Sequence, residues 1–600
     1  MERPTICGFR APDDDAFADA ARRASDLGAT HIVITEDIPL SLWQFDTPGD
    51  PYPAWFSHQP GLFKVFPPAA VSAYMDADYS EAVASLFERR CAILRRLGLK
   101  AFYWTNEPQV LPESFFAEHP HARGPRVDHP HRSRVARFAP CTDEAEVRDL
   151  YRESIQLLLR RCPEVEIMSF LTIDSGSGLC WAESLYPGPN GNPRCRGVSA
   201  SERVAGFLTT LQSAARDIGH ELAIDIKEIE PRSWMKRTFE EPDRIAAALP
   251  AGLAVNHREG PDGRPFITAE FMGLHWNELY PIVGLPRPVR FVDRLAANDR
   301  DGHGRRLVLI PDAQGADLSF RIWESYRSAR PSSELERLEV LRSVAREDVG
   351  DEAADDLLAV WLRIEEATAL LGTLNFGPVF RMGGLLARWF TRPLVPFPME
   401  LTEAEMAHYR PFLFQAKTEA EAANLIDTQA MRMFEGWGAR LLTEAAIERA
   451  RAKVATARAA AEKLDRPVLV ARLEVMDSFA RTVRNVVAYQ AQLDRVQPPA
   501  ESNDADDERG VFAAVPVLGH QGDWRRQDLL TIARDEMSNA LELIELEREF
   551  PGQLVDTADL PEQAIPLQLG PDLVGQLQRK VEVMGDHWTD YDRLLTAPNL

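Results

Sequence analysis

The sequence predicts an α/β chain: a TIM-like (β/α)8 barrel over residues 1–320, followed by a mainly α-helical domain over 321–600. Three observations carry that expectation. Short, continuous apolar runs alternate with amphipathic stretches through the first three hundred residues, as parallel strands buried on both faces require. A glycine closes amphipathic stretches just before the next apolar run, which is the αβ half of a βαβ unit. Beyond about residue 318 the β-rich runs stop and helical patterning takes over.

The expected strands, in order, are Thr5–Phe9, His31–Thr35, Lys100–Trp104, Glu166–Ile173, Leu222–Ile226, Leu253–Asn256 and Leu307–Ile310. Val289–Val292 or Phe266–Phe271 supplies the eighth. Asp14–Leu27 and Glu81–Leu97, the latter ending at Gly98, are the clearest intervening helices. Eight alternating units describe a (β/α)8 barrel; a doubly wound open sheet is the alternative. No GxGxxG follows the first strand, so a dinucleotide-binding sheet lacks its main support. In the second half, Thr402 and Glu405 form a capping box ahead of an apolar-periodic run. Leu469, Leu473, Met476, Phe479, Val483 and Val487 recur on one face of a long helix. Gln497–Gly510 is acidic and lacks large apolar residues, the pattern of a mobile loop, and helical signals resume at Trp524–Phe550. This half is expected to serve packing and homo-oligomer formation.

Composition narrows the function. The chain has 600 residues, 45% hydrophobic and 27% charged, enough apolar material for a large core. Acids outnumber bases 92 to 68, a formal charge of −24. Affinity for phosphate backbones rests on Lys and Arg, so a general nucleic-acid binder is disfavoured, and so is binding to an anionic membrane surface. The first residues lack the apolar run of a secretory signal, and no stretch of roughly 18 apolar residues occurs. The six cysteines lie in the first third without CxxC spacing and are expected as reduced thiols. A cytoplasmic protein without cofactor or metal is the resulting expectation.

In a barrel the active residues come from the carboxyl ends of strands and the loops after them. Those ends hold Glu36 and Asp37, Asn106 and Glu107, Asp174, then Asp225, Lys227, Glu228 and Glu230, then His257, Arg258 and Glu259. With so many acids in the chain, any one of these is more often a loop cap or an ion-pair partner; their accumulation at one rim is the signal. Trp43, Trp55, Trp104, Trp181, Trp234 and Trp276 are interleaved with the acids. Sugar sites use flat apolar platforms beside carboxylates and amides, although tryptophan is also a common core residue. The long segment Asp174–Gly191, rich in Gly, Pro and Asn, carries Asp174, Trp181, Glu183 and Tyr186. Long loops on a scaffold rim are usually functional, and an acid desolvated beside Trp gains the raised pKa of a general acid. His119, His121, His129 and His131 form two His-Pro-His units without helical ligand spacing. GxSxG is absent, which disfavours acyl transfer.

The order of these segments resembles the α-glucuronidase family of glycoside hydrolases and, more loosely, the hexosaminidase-like barrels. The likeness rests on Cys141–Gly178, on Asp225–Trp234 (DIKEIEPRSW), on Thr268–Gly273 (TAEFMG), and on GGLLARWFTRPL and LTEAEM after the barrel, spanning about residues 30–425. The resemblance implies a general acid after the strand that ends in the IDSGSG segment. Gly176 stands where the family has Glu, so that role falls to Asp174 or Glu183. It implies a second carboxylate at Glu270, with Glu228 and Glu230 the nearest acids to Lys227.

The expected function is therefore hydrolysis of a short oligosaccharide or glycoside by two carboxylates. Glu183 or Asp174 would protonate the leaving oxygen, and Glu270 or Glu230 would activate water or attack the anomeric carbon. Lys227, Arg232 and Arg258 suit an acidic sugar, since the planar Arg fork binds carboxylates bidentately. Glu36, Asp37, Trp43, Trp104, Asn106, Glu107, Trp181, His257 and Trp276 complete the expected substrate-binding set. The alternatives are a non-catalytic sugar-binding barrel, motivated by Gly176, and a metal-dependent lyase or isomerase using the His-Pro-His loop.

Overall fold

The computed structural model describes residues 4–39, 59–127, 136–172, 176–180, 193–227, 242–256, 258–259, 264–267, 279, 281–300, 304–311, 313–372, 389–409, 437–496, 522–558 and 569–596. The chain divides into two compact units. The first comprises residues 1–274 and 292–332, the second 275–291 and 333–600.

The first unit is built on β1 (Thr5–Phe9), β2 (His31–Val33), β3 (Lys100–Asn106), β4 (Arg123–Arg126), β5 (Phe138–Pro140), β6 (Val165–Leu171), β7 (Ala223–Lys227), β8 (Leu253–Val255), β9 (Arg258–Glu259), β10 (Arg264–Pro265) and β11 (Arg306–Ile310). Among the described residues, nine of these form one sheet in the order β10-β9-β8-β7-β6-β3-β2-β1-β11, and β4 pairs with β5 apart from it. The seven strands from β8 to β11 are parallel, whereas β9 and β10 join antiparallel. Setting β4 and β5 aside, sequential strands are neighbours from β1 to β8, which is a singly wound course and excludes the doubly wound alternative.

The sheet is curled. Laid flat, β11 and β8 would stand six strand spacings, roughly 29 Å, apart. Yet Leu307 of β11 and Ala254 of β8 belong to one buried cluster with Ile6, Val33, Phe102, Trp104, Ile167, Leu171, Phe266 and Ile267. One face of the parallel strands thus lines a single core, around which the sheet curls. Beyond β10, Ile267 makes a single parallel bridge to Arg305, with the Arg305 amide donating to the Phe266 carbonyl at 3.0 Å. Of the two candidates for an eighth strand, Val289–Val292 is instead part of the helix Pro288–Arg300. A four-residue segment with three apolar positions, Val289, Phe291 and Val292, fits a buried helix face as well as a strand, and Pro288 at the first helical position settles the choice locally.

Helices cover the outer face of the sheet. Ala77–Leu97 starts at Asp76, whose carboxylate accepts from the Tyr79 amide, and stops at Gly98 in the left-handed region, φ 70°. Its buried Arg90 donates to the carbonyls of Ile34 (2.6 Å) and Glu36 (2.5 Å), holding the turn after β2. The β4–β5 hairpin needs Gly124, because a Cβ there would stand 2.6 Å from the Ala139 carbonyl oxygen and 2.7 Å from the Cys141 nitrogen.

In the second unit, helices Ala354–Gly372, Trp437–Ala461, Pro467–Val496, Gly522–Glu549 and Leu573–Asp586 each pack on the next. The expected stripe on Pro467–Val496 is buried at all six positions, Leu469 to Val487. The capping box is formed, Thr402 Oγ1 accepting from the Glu405 amide and Glu405 accepting from the Thr402 amide at 2.8 Å. Gln497–Gly510 lies outside the described residues. No helix among the described residues is long and apolar enough to cross a membrane.

Candidate active site

Strand register, together with side-chain alternation, decides which rim residues face the inside of the curl. Trp104, Ser169, Asp225 and Ala254 are lateral partners across β3, β6, β7 and β8. Trp104 and Ala254 belong to the interior cluster, and Ala223, two residues before Asp225, packs on it. This row therefore points inward. The next inward row towards the carboxyl ends is Asn106, Leu171 and Lys227. The interior is thus apolar at the amino ends of the strands and becomes polar at the carboxyl ends. There Asn106, Ser169, Asp225 and Lys227 are all buried, and the Ser169 hydroxyl donates to Asp225 at 3.4 Å. Asp225 and Lys227, two apart on one strand, stand roughly 6.6 Å apart along it on one face.

Glu107 lies on the other side. As an odd-numbered residue following β3 it shares the outer face with Tyr103 and Thr105. Its Oε2 accepts from the Tyr151 hydroxyl at 2.8 Å and from the Gln109 amide at 3.2 Å, and its Oε1 from the Leu62 amide at 2.5 Å. Complete burial pushes its carboxyl up to about 7, against the downward pull of those three donors. Glu107 thus joins the segment entering helix Leu62–Val65 to the helix Ala145–Arg161, behind the sheet rather than at its mouth.

The other described candidates are placed as follows. Asp37, φ 50°, accepts from Arg10 Nε at 2.7 Å and from the Ala11 amide at 2.8 Å, tying the turn after β2 to the end of β1. Glu36 is buried beside it, with its carbonyl held by Arg90. Trp104 is 4% exposed, belongs to the core cluster and shares its inward row with Ser169 and Asp225. Arg258 lies on β9. Asp174, Glu183, Glu230, Glu270, Trp43, Trp181, Arg232, His257 and Trp276 lie outside the described residues. The structure brings Asn106 and Lys227 into one inward row, and separates Glu107 from both.

Of the His-Pro-His loop, His119 and His121 are described. Both bond to Glu146 on helix Ala145–Arg161, His119 Nδ1 at 2.9 Å and His121 Nε2 on the other carboxylate oxygen. His121 above all holds the Glu146 carboxyl below its ordinary range. His129 and His131 lie outside the described residues.

Two features escaped sequence reasoning. The inward direction of Asp225 was available from alternation along β7, once Ala223 was known to face the core. The second is a trio of buried thiols, Cys141, Cys180 and Cys195, whose sulfurs lie within 4.8 Å of one another. They are 39 and 15 residues apart in sequence, so no local spacing announces them.

No family model matches the chain, and no curated protein matches it. Among solved structures the chain is similar to a GH138 enzyme targeting pectin rhamnogalacturonan II, at 10% identity over 99% of this chain and 84% of that one, TM-score 0.48. It is similar also to a Thermobaculum terrenum O-GlcNAc hydrolase mutant, at 10% identity over 99% and 97%, TM-score 0.36. The galactosidase domain of an alpha-galactosidase-sucrose kinase matches 55% of this chain and 41% of its own at 12% identity, TM-score 0.26. These neighbours are glycoside hydrolases.

Proposed function

We propose that the chain is a glycoside hydrolase whose curled sheet closes as a barrel through the Ile267–Arg305 bridge, with its site at the carboxyl ends of the strands. One observation carries this reading: the inward rows turn from apolar to polar at those ends, where Asn106, Ser169, Asp225 and Lys227 gather on three adjacent strands. Burying that many polar groups costs free energy that a purely structural core avoids, and in barrels this end holds the chemistry.

In this reading Asp174 or Glu183, which follow β6 in sequence, protonates the leaving oxygen. Glu270 or Glu230 activates water or attacks the anomeric carbon. Asn106 and Lys227 bind the sugar, and Lys227, with Arg232 and Arg258, favours an acidic one. Carboxyl groups about 6.5–9.5 Å apart would invert configuration, and about 5–5.5 Å would retain it.

The test is turnover of a panel of aryl glycosides and uronides by the full chain and by Asp174→Asn, Glu183→Gln, Glu230→Gln and Glu270→Gln. Two of the four variants should lose about 100-fold or more in kcat while keeping the wild-type circular dichroism. Turnover unchanged in all four would remove the two-carboxylate assignment. A wild-type chain that binds a sugar of the panel without cleaving it would favour the non-catalytic barrel.

A further inference from the structure

Cys141, Cys180 and Cys195 belong to three separate segments. Cys141 follows β5, Cys180 lies beyond β6, and Cys195 sits in the short 3-10 turn Pro193–Gly197 ahead of helix Ala200–Arg216. All three are buried and none is in a disulfide. Cys141 Sγ lies 3.3 Å from Cys195 Sγ and 3.7 Å from Cys180 Sγ, and all three sulfurs fall within 4.8 Å of one another.

Two of these separations lie within about 0.5 Å of a known geometry. Zinc–thiolate bonds of about 2.3 Å in a tetrahedron set neighbouring sulfurs about 3.8 Å apart. Three neutral thiols packed for their own sake have no need to converge on one point, since a thiol is a weak donor and behaves as a small apolar group. The backbone around them is brought close by glycine on both approaches. Gly124 lets β4 pass the Cys141 amide, and a Cβ at Gly178 would stand 2.8 Å from Val127 Cγ1 of the hairpin segment. The Gly178 amide bonds the Pro108 carbonyl at 3.0 Å, and the Cys141 amide bonds the Ala122 carbonyl at 2.8 Å. The main chain at Cys141 and two residues before Cys180 is therefore held by bonds made independently of any cation.

We propose that Cys141, Cys180 and Cys195 bind one thiophilic d10 cation, zinc(II) in the first instance. The cation joins the end of β5, the segment after β6 and the turn ahead of helix Ala200–Arg216. Three thiol protons are exchanged for one cation, so binding strengthens as pH rises. Three sulfurs leave one tetrahedral position for a further ligand or water.

The test uses the full chain, reduced and purified without air. Metal analysis should find one zinc per chain. Stripped protein titrated with cobalt(II) should develop the sulfur-to-cobalt charge-transfer absorption of thiolate ligation, saturating at one equivalent and abolished by zinc. Cys195→Ser should lose that absorption, whereas Cys91→Ser, which alters a buried thiol outside the trio, should keep it. If Cys195→Ser does not fold, the wild-type titration and its displacement by zinc decide alone. Absence of the cobalt absorption with six titratable thiols overturns the proposal, as does an absorption that survives Cys195→Ser. A disulfide within the trio in the air-free protein overturns it as well.

Discussion

Tyr151 donates its hydroxyl to Glu107 at 2.8 Å from a helix that packs behind the sheet. Both groups are fully buried, and neither faces the polar rows at the carboxyl ends of the strands. One residue earlier, Asn106 faces those rows. The alternation of a strand thus places adjacent polar residues of one motif on opposite sides of the sheet, one in the candidate site and one in the scaffold that holds Leu62.

Glu107 makes stability depend on pH. Its folded value is raised to about 7, above the ordinary carboxylate range, so the folded state keeps the proton more tightly. The associated stability is full below about pH 4.5 and is lost as pH rises through about 7, with a slope of up to about 1.4 kcal/mol per pH unit. Glu107→Gln has no proton to lose. The melting temperature of the wild type should therefore fall between pH 5 and 8 relative to that of Glu107→Gln. Parallel curves would mean that Glu107 ionises normally.

Lys64 has the opposite sign. Burial lowers its ammonium to about 7, although it donates to the Gln59 carbonyl at 3.1 Å and lies 5.0 Å from the Tyr79 ring centre. A base that is harder to protonate when folded weakens the fold below its folded value, and this penalty is relieved as pH rises from about 7 towards 10.5. Lys64→Met should flatten that rise. The measurement is the chemical-denaturation midpoint at pH 7 and pH 9.5 for both proteins.

Gly124→Ala should destabilise the first unit. The new Cβ meets main-chain atoms at 2.6 and 2.7 Å, which cannot rotate away as a flexible side chain would. Overpacking of this kind costs about 1–3 kcal/mol. A lowered melting transition is expected, and an unchanged one would mean that the hairpin can open.

In the second unit, Lys580 Nζ pairs with Glu536 Oε1 at 1% and 0% side-chain exposure. Thr482 and Asn485 donate to the same carboxylate at 2.8 Å, and the Phe390 carbonyl accepts from Lys580 at 2.6 Å. Removing one partner leaves a buried charge uncompensated, so Lys580→Met should cost about 3–5 kcal/mol. The double variant Lys580→Met, Glu536→Leu should recover much of that loss. A double-mutant cycle by denaturant unfolding checks it, and a loss in the double variant equal to the sum of the two single losses would deny the coupling.

The strands of the first unit were legible because each is an apolar run buried on both faces. Thr5–Phe9 has the bounds expected, and the six later ones shift by one or two residues. The run at Val289–Val292 was not decidable, since its three apolar residues satisfy both periods. The rim as a list of residues was legible too, but its division into inner and outer faces was not. Asn106 and Glu107 are equally polar in sequence; only the core on one side and Tyr151 on the other separate them. The three thiols were invisible, because their convergence depends on a hairpin and a loop packing through Gly124 and Gly178.

What the sequence determined by itself is the class of the fold and the end of the strands where polar groups collect. Both follow from local periodicity and from the cost of burying unpaired polar atoms, which act residue by residue. The tertiary structure decided which of those groups share a face, that a carboxyl beside Leu62 belongs to the scaffold, and that three distant cysteines meet. Those outcomes depend on strand register and on contacts between segments far apart in the chain, where no local pattern reports the distance.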